Sequence, residues 1–293
     1  MENFKSLTKN DIPLIAPYFE NESSFACDCS IGGCFIWCDF FQTKYAIIEE
    51  TLVFRIVLDK KTRYTYPIGK NIESAFALIE KDAERCNTEI EFFVFSQNDL
   101  LSLKERYPSH EILDKREYYD YVYDYGSMCD FRGKKFSGQR NHINKFKRLY
   151  GNYSFEEIDE TNKKELAEFF RDFAARSEKK NAAIEAEALK IFEVLENMSE
   201  YRQFGGILRV DGKIVGFSIA EKIDKTMFIH VEKADISYDG VYQMLVSCFA
   251  THFAEDGVVY INREDDVGDE GLRKSKLSYH PIFLVEKYIF SVK

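Results

Sequence analysis

Residues 206–233 read GILRVDGKIVGFSIAEKIDKTMFIHVEK, and this stretch decides the fold. Three short, largely apolar runs, at 206–210, 214–221 and 226–233, lack the three-and-four spacing of a helix and read as strands bounded by turn signals. Asp211-Gly212 joins the first two runs; both residue types tolerate the positive φ that a tight hairpin demands. Asp224-Lys225 marks the second turn, so the stretch predicts a three-stranded antiparallel meander. Outward toward the N-terminus the period changes to three and four. Leu166, Phe169, Phe170 and Phe173 place a helix over 161–176, Ile184, Ala188, Ile191, Phe192 and Leu195 place another over 182–198, and a short strand is predicted at 153–158. Toward the C-terminus, Gly240 opens a helix with Val241, Leu245, Cys248, Phe249 and His252 on one stripe, ending near Asp256-Gly257. A strand at 258–261, a short helix at 270–277 and a last strand at 282–290 complete the half.

The first half repeats this order more faintly. Runs at 45–48, 52–58 and 63–66 predict a meander, followed by a helix over 72–85, a strand at 90–95, a helix over 98–107 and strands near Glu111 and at 118–125. Self-similarity of this kind predicts an internal duplication. With no linker rich in Pro, Gly or Ser, the boundary is expected near residue 127, giving domains 1–127 and 128–293. The element order resembles that of the GCN5-related N-acetyltransferase (GNAT) fold, so the expected fold class is α+β with a mixed sheet, built as a tandem duplication of that fold, with the working cleft in the second half.

Composition bounds the function. The chain has 293 residues, 45% apolar and 31% charged, a globular balance with length enough for two cores. Its formal net charge of -10 excludes a bulk polyanion binder but leaves room for a local basic patch. The first five residues hold no apolar core of the signal-peptide type and no apolar run reaches the ~18 residues needed to span a bilayer, so a cytoplasmic location is expected. Seven cysteines, an odd number, fit reduced thiols. Cys27, Cys29, Cys34 and Cys38 lack the paired spacing of zinc sites and read as small buried residues around Trp37, so no metal is expected.

Four constellations carry chemistry. From 132 to 148 there are seven Lys or Arg and no acid. Lys134 and Lys135 lead into a helix on which Ser137, Arg140, Asn141, Asn144 and Arg148 share roughly one face, while Ile143 and Phe146 pack elsewhere. Arg forks, amide donors and the open N–H groups of a helix start suit phosphate; a solvated basic helix is the alternative. His230 and Glu232 point to one side of their strand. In the GNAT fold that strand splays from the one after the main helix, the gap admits the acyl donor, and a base often sits there. His230 reads equally as a satisfied core histidine, and Glu232 as the ion-pair partner of Lys233, Arg263 or Lys276. Asn262, Arg263, Glu264 and Asp265 follow the next strand and are expected across the splay as substrate-binding groups, with a solvated acidic loop as the alternative reading. The run lacks the EF-hand pattern. Lys276 adds a fifth substrate-binding candidate, and Tyr279 falls where GNAT enzymes often place a Tyr general acid. Those enzymes cradle the coenzyme A pyrophosphate in a Gly-rich turn. The matching turn here, Tyr238-Asp239-Gly240-Val241-Tyr242-Gln243, keeps Gly240 but sets Tyr242 where backbone must approach phosphate.

Gly133-Lys-Lys followed by Arg140-Asn-His-Ile-Asn is similar to the basic helix of the family named for the C-terminal domain of phosphatidylglycerol lysyltransferase. The segment from Leu272-Arg-Lys-Ser-Lys276 through Pro281 and Glu286-Lys-Tyr288 resembles that family's closing motif. The resemblance implies an aminoacyl-tRNA donor and a lipid-headgroup acceptor, or, by way of the related Fem transferases, a peptide acceptor. The membrane-spanning half of the lipid enzymes is missing from this sequence. Three functions follow: aminoacyl transfer from charged tRNA to an amine or hydroxyl, acyl-CoA-dependent N-acylation with a degenerate turn, and non-catalytic binding of a phosphorylated ligand. No cofactor is assigned apart from a donor substrate, aminoacyl-tRNA or acyl-CoA, and the oligomeric state is open.

Overall fold

The computed structural model describes residues 4–20, 24–176, 182–254 and 257–293. In chain order the elements begin with β1 (Lys5–Ser6), α1 (Ile12–Glu20), α2 (Ile31–Ile36), β2 (Lys44–Ile48), β3 (Thr51–Leu58), β4 (Lys61–Thr65) and β5 (Ile68–Gly69). Then come α3 (Ile72–Cys86), β6 (Glu91–Val94), α4 (Gln97–Arg106), β7 (His110–Asp114), β8 (Asp120–Asp124), α5 (Tyr125–Asp130), α6 (Ser137–Leu149) and β9 (Tyr153–Glu157). The chain finishes with α7 (Lys163–Arg176), α8 (Ala182–Glu196), β10 (Phe204–Val210), β11 (Lys213–Ile223), β12 (Thr226–Ala234), α9 (Val241–His252), β13 (Tyr260–Asn262), α10 (Glu270–Ser278), β14 (Phe283–Val285) and β15 (Tyr288–Val292). The predicted meander is β10–β12. Asp211 and Gly212 hold φ of 49° and 78° at its first hairpin, the left-handed geometry that a two-residue turn requires. The expected helix end near Asp256-Gly257 falls partly outside the described residues; α9 itself ends at His252.

Two compact units form. Unit 1 comprises residues up to Asp120 with Asp265–Asp269 and Leu284–Lys293; unit 2 comprises Tyr121–Glu264 and Glu270–Phe283. The sheet of unit 1 runs β1-β2-β3-β4-β6-β15-β7, with β5 pairing β3, and the second sheet runs β9-β10-β11-β12-β13-β8-β14. The two orders are the same. Each meander ends in a strand that pairs in parallel with the next, β4 with β6 and β12 with β13, and that next strand pairs antiparallel with its other neighbour. The duplication expected from the sequence is therefore written in the sheet topology, and the fold is a tandem GNAT arrangement.

The units differ from a single cut at residue 127. In the shared strand order the sixth place, between the fifth and seventh strands, is filled in unit 1 by β15, from the far end of the chain, and in the second sheet by β8, which follows the first half. The expected single strand over 282–290 is two strands in different sheets, parted at Glu286 and Lys287. The side chain of Lys287 turns into unit 1, where its ammonium lies 2.5 Å from Asp28 and 2.8 Å from Asp120. Phe290 joins Tyr64, Phe76, Phe92 and Leu103 in the unit 1 core, so apolar burial holds β15 in that sheet.

Candidate functional site

In unit 2 the parallel pairing of β12 with β13 runs from Thr226↔Tyr260 to Phe228↔Asn262 and stops. Past that point β12 continues through His230 to Ala234 without β13 beside it. The β11–β12 register jumps from Ala220↔Ile229 to Ile219↔Val231, so His230 is the extra residue of a β-bulge. The residues predicted to meet across the splay do meet. Arg263 Nη2 lies 2.5 Å from Glu232 Oε1, and His230 Nδ1 lies 2.7 Å from Glu264 Oε1.

They meet by filling the gap. The Arg263 guanidinium stacks on Tyr279 at 4.5 Å and lies 5.7 Å from the ring of Tyr123. Burial pushes the phenol of Tyr279 up to about 12, with Glu232 adding to the rise and Arg263 opposing it. Lys276 is buried and donates to the Arg263 carbonyl at 2.5 Å, while Asn262 is fully buried and its Oδ1 accepts from the Glu264 amide at 2.6 Å. Asp265 belongs to unit 1 and its Oδ1 accepts from the Val267 amide. A cavity of about 10 Å³ remains, lined by Ser218, Glu232, Arg263 and the apolar Ile229, Val246 and Phe249; it has room for roughly one water. The open groove expected in the second half is thus closed at this point. Ser218 Oγ and Arg263 Nη1 are buried without a hydrogen-bond partner, and both residues line that cavity. Unpaired buried polar atoms are costly, and their clustering at one void marks a place where a ligand or water supplies the missing bonds.

His230 is a buried cation clamp. Its Nε2 lies 3.4 Å from Glu221, an ion-pair contact without hydrogen-bond alignment. Burial works against the charged ring, but Glu221 and Glu264 outweigh it and lift His230 to about 9. A base that holds its proton this tightly is a poor acceptor at neutral pH, and the core-histidine reading describes it better. Because the folded value exceeds the ordinary 6.5, the stabilisation is complete below about pH 6.5 and fades as pH rises through 9. Replacing His230 by Gln is expected to cost about 2–3 kcal/mol at pH 6 and to converge on wild type by pH 10, read from urea unfolding at the two pH values.

The basic segment forms as predicted. Phe136, Gln139, Ile143 and Phe146 are buried, and Lys134, Lys135, Ser137, Asn141, Asn144, Lys147 and Arg148 are exposed. Arg140 does not join that face. Its Nη1 donates to the carbonyls of Phe131 and Gly133, tying the loop before α6. Gly240, with φ of 81°, packs on the same helix: a Cβ there would collide with the His142 carbonyl oxygen. Lys145 pairs with Asp239 at 2.9 Å, and the Tyr150 hydroxyl accepts from the Asp239 amide at 3.2 Å. The Tyr242 hydroxyl accepts from the Ala234 amide at 3.4 Å. The turn before α9, where a coenzyme A pyrophosphate would lie in the GNAT fold, is covered by α6. The equivalent turn of unit 1 precedes α3, and there Thr51 Oγ1 accepts from the Asn71 amide while the Glu49 carboxylate accepts from Asn71 Nδ2 and from Ser74 Oγ. A carboxylate already stands where an anion would bind a helix N-terminus.

Sequence reasoning missed two features. One is a cavity of about 210 Å³ in unit 1, where β4 and β6 part. The other is the cluster of Cys27, Asp28 and Asp120, whose ligand atoms lie within 4.8 Å of one another in the manner of a metal site. The Lys287 ammonium lies among them, 3.5 Å from Cys27 Sγ, and supplies the positive charge. Cys27, Cys29 and Cys38 are buried, as the sequence suggested, whereas Cys34 is only half-buried.

Two GNAT-type sheets with identical strand order, each with a splay after its fourth strand, define a tandem acyltransferase fold. The model of the family described as phosphatidylglycerol lysyltransferase, C-terminal, matches residues 22–291, and the chain belongs to that family. A conserved protein of unknown function from Bacteroides thetaiotaomicron is 32% identical, with a TM-score of 0.90 and full coverage of both chains. L-PGS from Bacillus licheniformis superposes with a TM-score of 0.66 at 15% identity, covering 95% of this chain and 91% of that one. FemX superposes at 0.64 with 8% identity, covering 100% and 98%; these last two show a shared fold. An uncharacterised protein of Mycoplasmoides gallisepticum is 26% identical over 180 residues, which is 59% of this chain and 56% of that protein, so the chain spans little more than half the length of the curated relative it matches. Among the described residues no helix is long and apolar enough to cross a membrane.

Proposed function

We propose that the chain transfers an aminoacyl group from a charged tRNA to an amine or hydroxyl acceptor. The observation that carries this reading is the covered turn at Gly240. With α6 packed on it, and with Glu49 at the matching turn of unit 1, neither unit offers the pyrophosphate cradle of an acyl-CoA enzyme. The turn leading into α6 presents Lys134 and Lys135 to solvent and α6 itself presents Arg148, the phosphate-binding charges a tRNA backbone needs. In the reaction the ester bond to the terminal ribose breaks, a bond forms from the acceptor nitrogen or oxygen to the carbonyl carbon, and the acceptor's proton passes to the ribose oxygen. An aminoacyl ester is already reactive, so positioning and polarisation of its carbonyl supply most of the acceleration. The unpaired Arg263 Nη1 and Ser218 Oγ are the donors for that carbonyl and Glu232 is the base beside them; because the Arg263–Glu232 pair closes the splay and leaves room for about one water, the reading requires that pair to part when the donor binds.

Filter binding of charged tRNA across salt concentrations tests the donor. Tight binding with a steep log–log slope is expected for the wild type. The triple variant Lys134→Ala, Lys135→Ala, Arg148→Ala is expected to flatten the slope by about 2–3 units, at ~0.7–0.9 per lost phosphate contact. A saturable rise in melting temperature with acetyl-CoA would overturn the reading in favour of acyl-CoA chemistry. Binding of tRNA without accelerated loss of its aminoacyl group in the presence of amines would reduce the protein to a binding module.

A further inference from the structure

A cavity of about 210 Å³ lies outside the cleft that the sequence singled out. It opens in unit 1 beyond the last parallel pair of β4 and β6, Thr65↔Phe93, where the two strand ends diverge. Tyr66 and Gly69 line it from the β4 side, Phe95, Ser96 and Asp99 from the β6 side, and Ser24 closes part of the wall. At about 210 Å³ it has space for about seven waters at ~30 Å³ each, which suits a ligand of several heavy atoms.

We propose that this cavity binds a small primary ammonium compound, with Asp99 as its anionic anchor. Among the described residues of the lining Asp99 is the one acidic side chain, and none of them is Lys, Arg or His. The remaining polar side-chain groups are the hydroxyls of Ser24, Ser96 and Tyr66 and the thiol of Cys29. An ammonium brings three donors and no acceptor, and a carboxylate with hydroxyl oxygens nearby is the complementary set. Burial first, then Asp99 and Glu73, push the Tyr66 phenol above its ordinary value, with Ser102 and Arg106 acting the other way. At the neighbouring turn Glu49 accepts from Ser74 Oγ and Glu50 pairs with Lys70. Asp99 sits at the start of α4, its amide bonded to Ser96 Oγ, on an element held by the buried Leu100 and Leu103; the anchor is therefore rigidly placed. The inference rests on the transferase reading only in naming this amine as the acceptor, and the binding itself stands independently.

The test is calorimetric titration of the full chain with ethanolamine, using ethylene glycol and glycolate as neutral and anionic controls of similar size. Saturable binding of ethanolamine alone is expected. Asp99→Asn should weaken it at least tenfold, and Ser24→Leu, which fills space without touching the charge, should weaken it also. Far-ultraviolet circular dichroism identifies any variant that fails to fold, and the wild-type controls decide the matter without a variant. No saturable ethanolamine binding, equal binding of ethylene glycol, or a folded Asp99→Asn chain with wild-type affinity would overturn the site. The triple basic variant and Glu232→Gln should leave ethanolamine affinity unchanged; a wild-type chain that binds ethanolamine but no tRNA defeats only the donor reading, and one that binds tRNA but no ethanolamine defeats only this one.

Discussion

Arg263→Ala is expected to cost about 3–5 kcal/mol of folding stability, measured as the shift of the urea midpoint at constant slope. The guanidinium is buried against Glu232, Tyr279 and Tyr123, with its side chain 10% exposed and that of Glu232 14% exposed. Removing the cation leaves a carboxylate desolvated beside two phenol rings and opens a void in the splay. Arg263→Lys is expected to recover little, because a lysine cannot spread over Tyr279 and reach Glu232 with a planar fork. Replacing both partners, Arg263→Met with Glu232→Met, removes the stranded charge and should return most of the stability, leaving a folded chain in which transfer is lost. A single Arg263→Ala variant within 1 kcal/mol of wild type would show that the pair is solvated and that the splay is open. The double variant separates the two duties of these residues, since stability follows the charge balance and activity follows the carbonyl-binding groups.

The parts of this fold that the sequence makes legible are those decided locally. Asp211-Gly212 fixes a hairpin by backbone geometry alone, and the 3.6-residue stripe of Ile143 and Phe146 fixes which face of α6 is buried. The exchange of strands was hidden because alternation says which side of a strand is apolar and nothing about which sheet receives it. Residues 282–290 read as one strand, and the break at Glu286-Lys287 depends on carboxylates at positions 28 and 120, far away in sequence. The predicted site residues Glu232, Arg263, His230 and Glu264 were brought together as expected from the GNAT-like order, yet their pairing closed the gap. Residue type alone could not tell a substrate-binding Arg263 from one already engaged. Arg140 makes the same point: its fork reads as a phosphate clamp, and the carbonyls of Phe131 and Gly133 take it. The unit 1 cavity was invisible because Ser96-x-x-Asp99 reads as a helix start, and only the folded strand ends bring Tyr66 to the same space.

Lys287→Met is expected to destabilise the protein by about 3–5 kcal/mol and to loosen β15. The ammonium is buried and lies 2.8 Å from Asp120 and 2.5 Å from Asp28. Burial alone would favour its neutral form, but Asp120 and then Asp28 more than compensate and hold its pKa well above the ordinary lysine value. Without it, Asp28 and Asp120 lose the ammonium that both face, while the Cys27 amide still donates to Asp120 at 2.7 Å. Hydrogen exchange should therefore rise first along β15, whose amides pair with β6 and β7 and whose neighbour Lys287 is the anchor. Adding Asp120→Asn to Lys287→Met removes one stranded charge and should restore part of the loss, whereas Asp120→Asn alone should weaken the protein by leaving the ammonium with Asp28 only. The coupling between positions 120 and 287 is expected to exceed 1 kcal/mol in a double-mutant cycle. Additive effects, or unchanged exchange along β15, would mean that apolar packing of Ile289 and Phe290 holds the exchanged strand by itself. The wider consequence concerns how a duplicated fold closes. A strand supplied from the far end of the chain cannot be recruited by local turns, and a buried cation matched to two carboxylates gives that strand a specific address in unit 1.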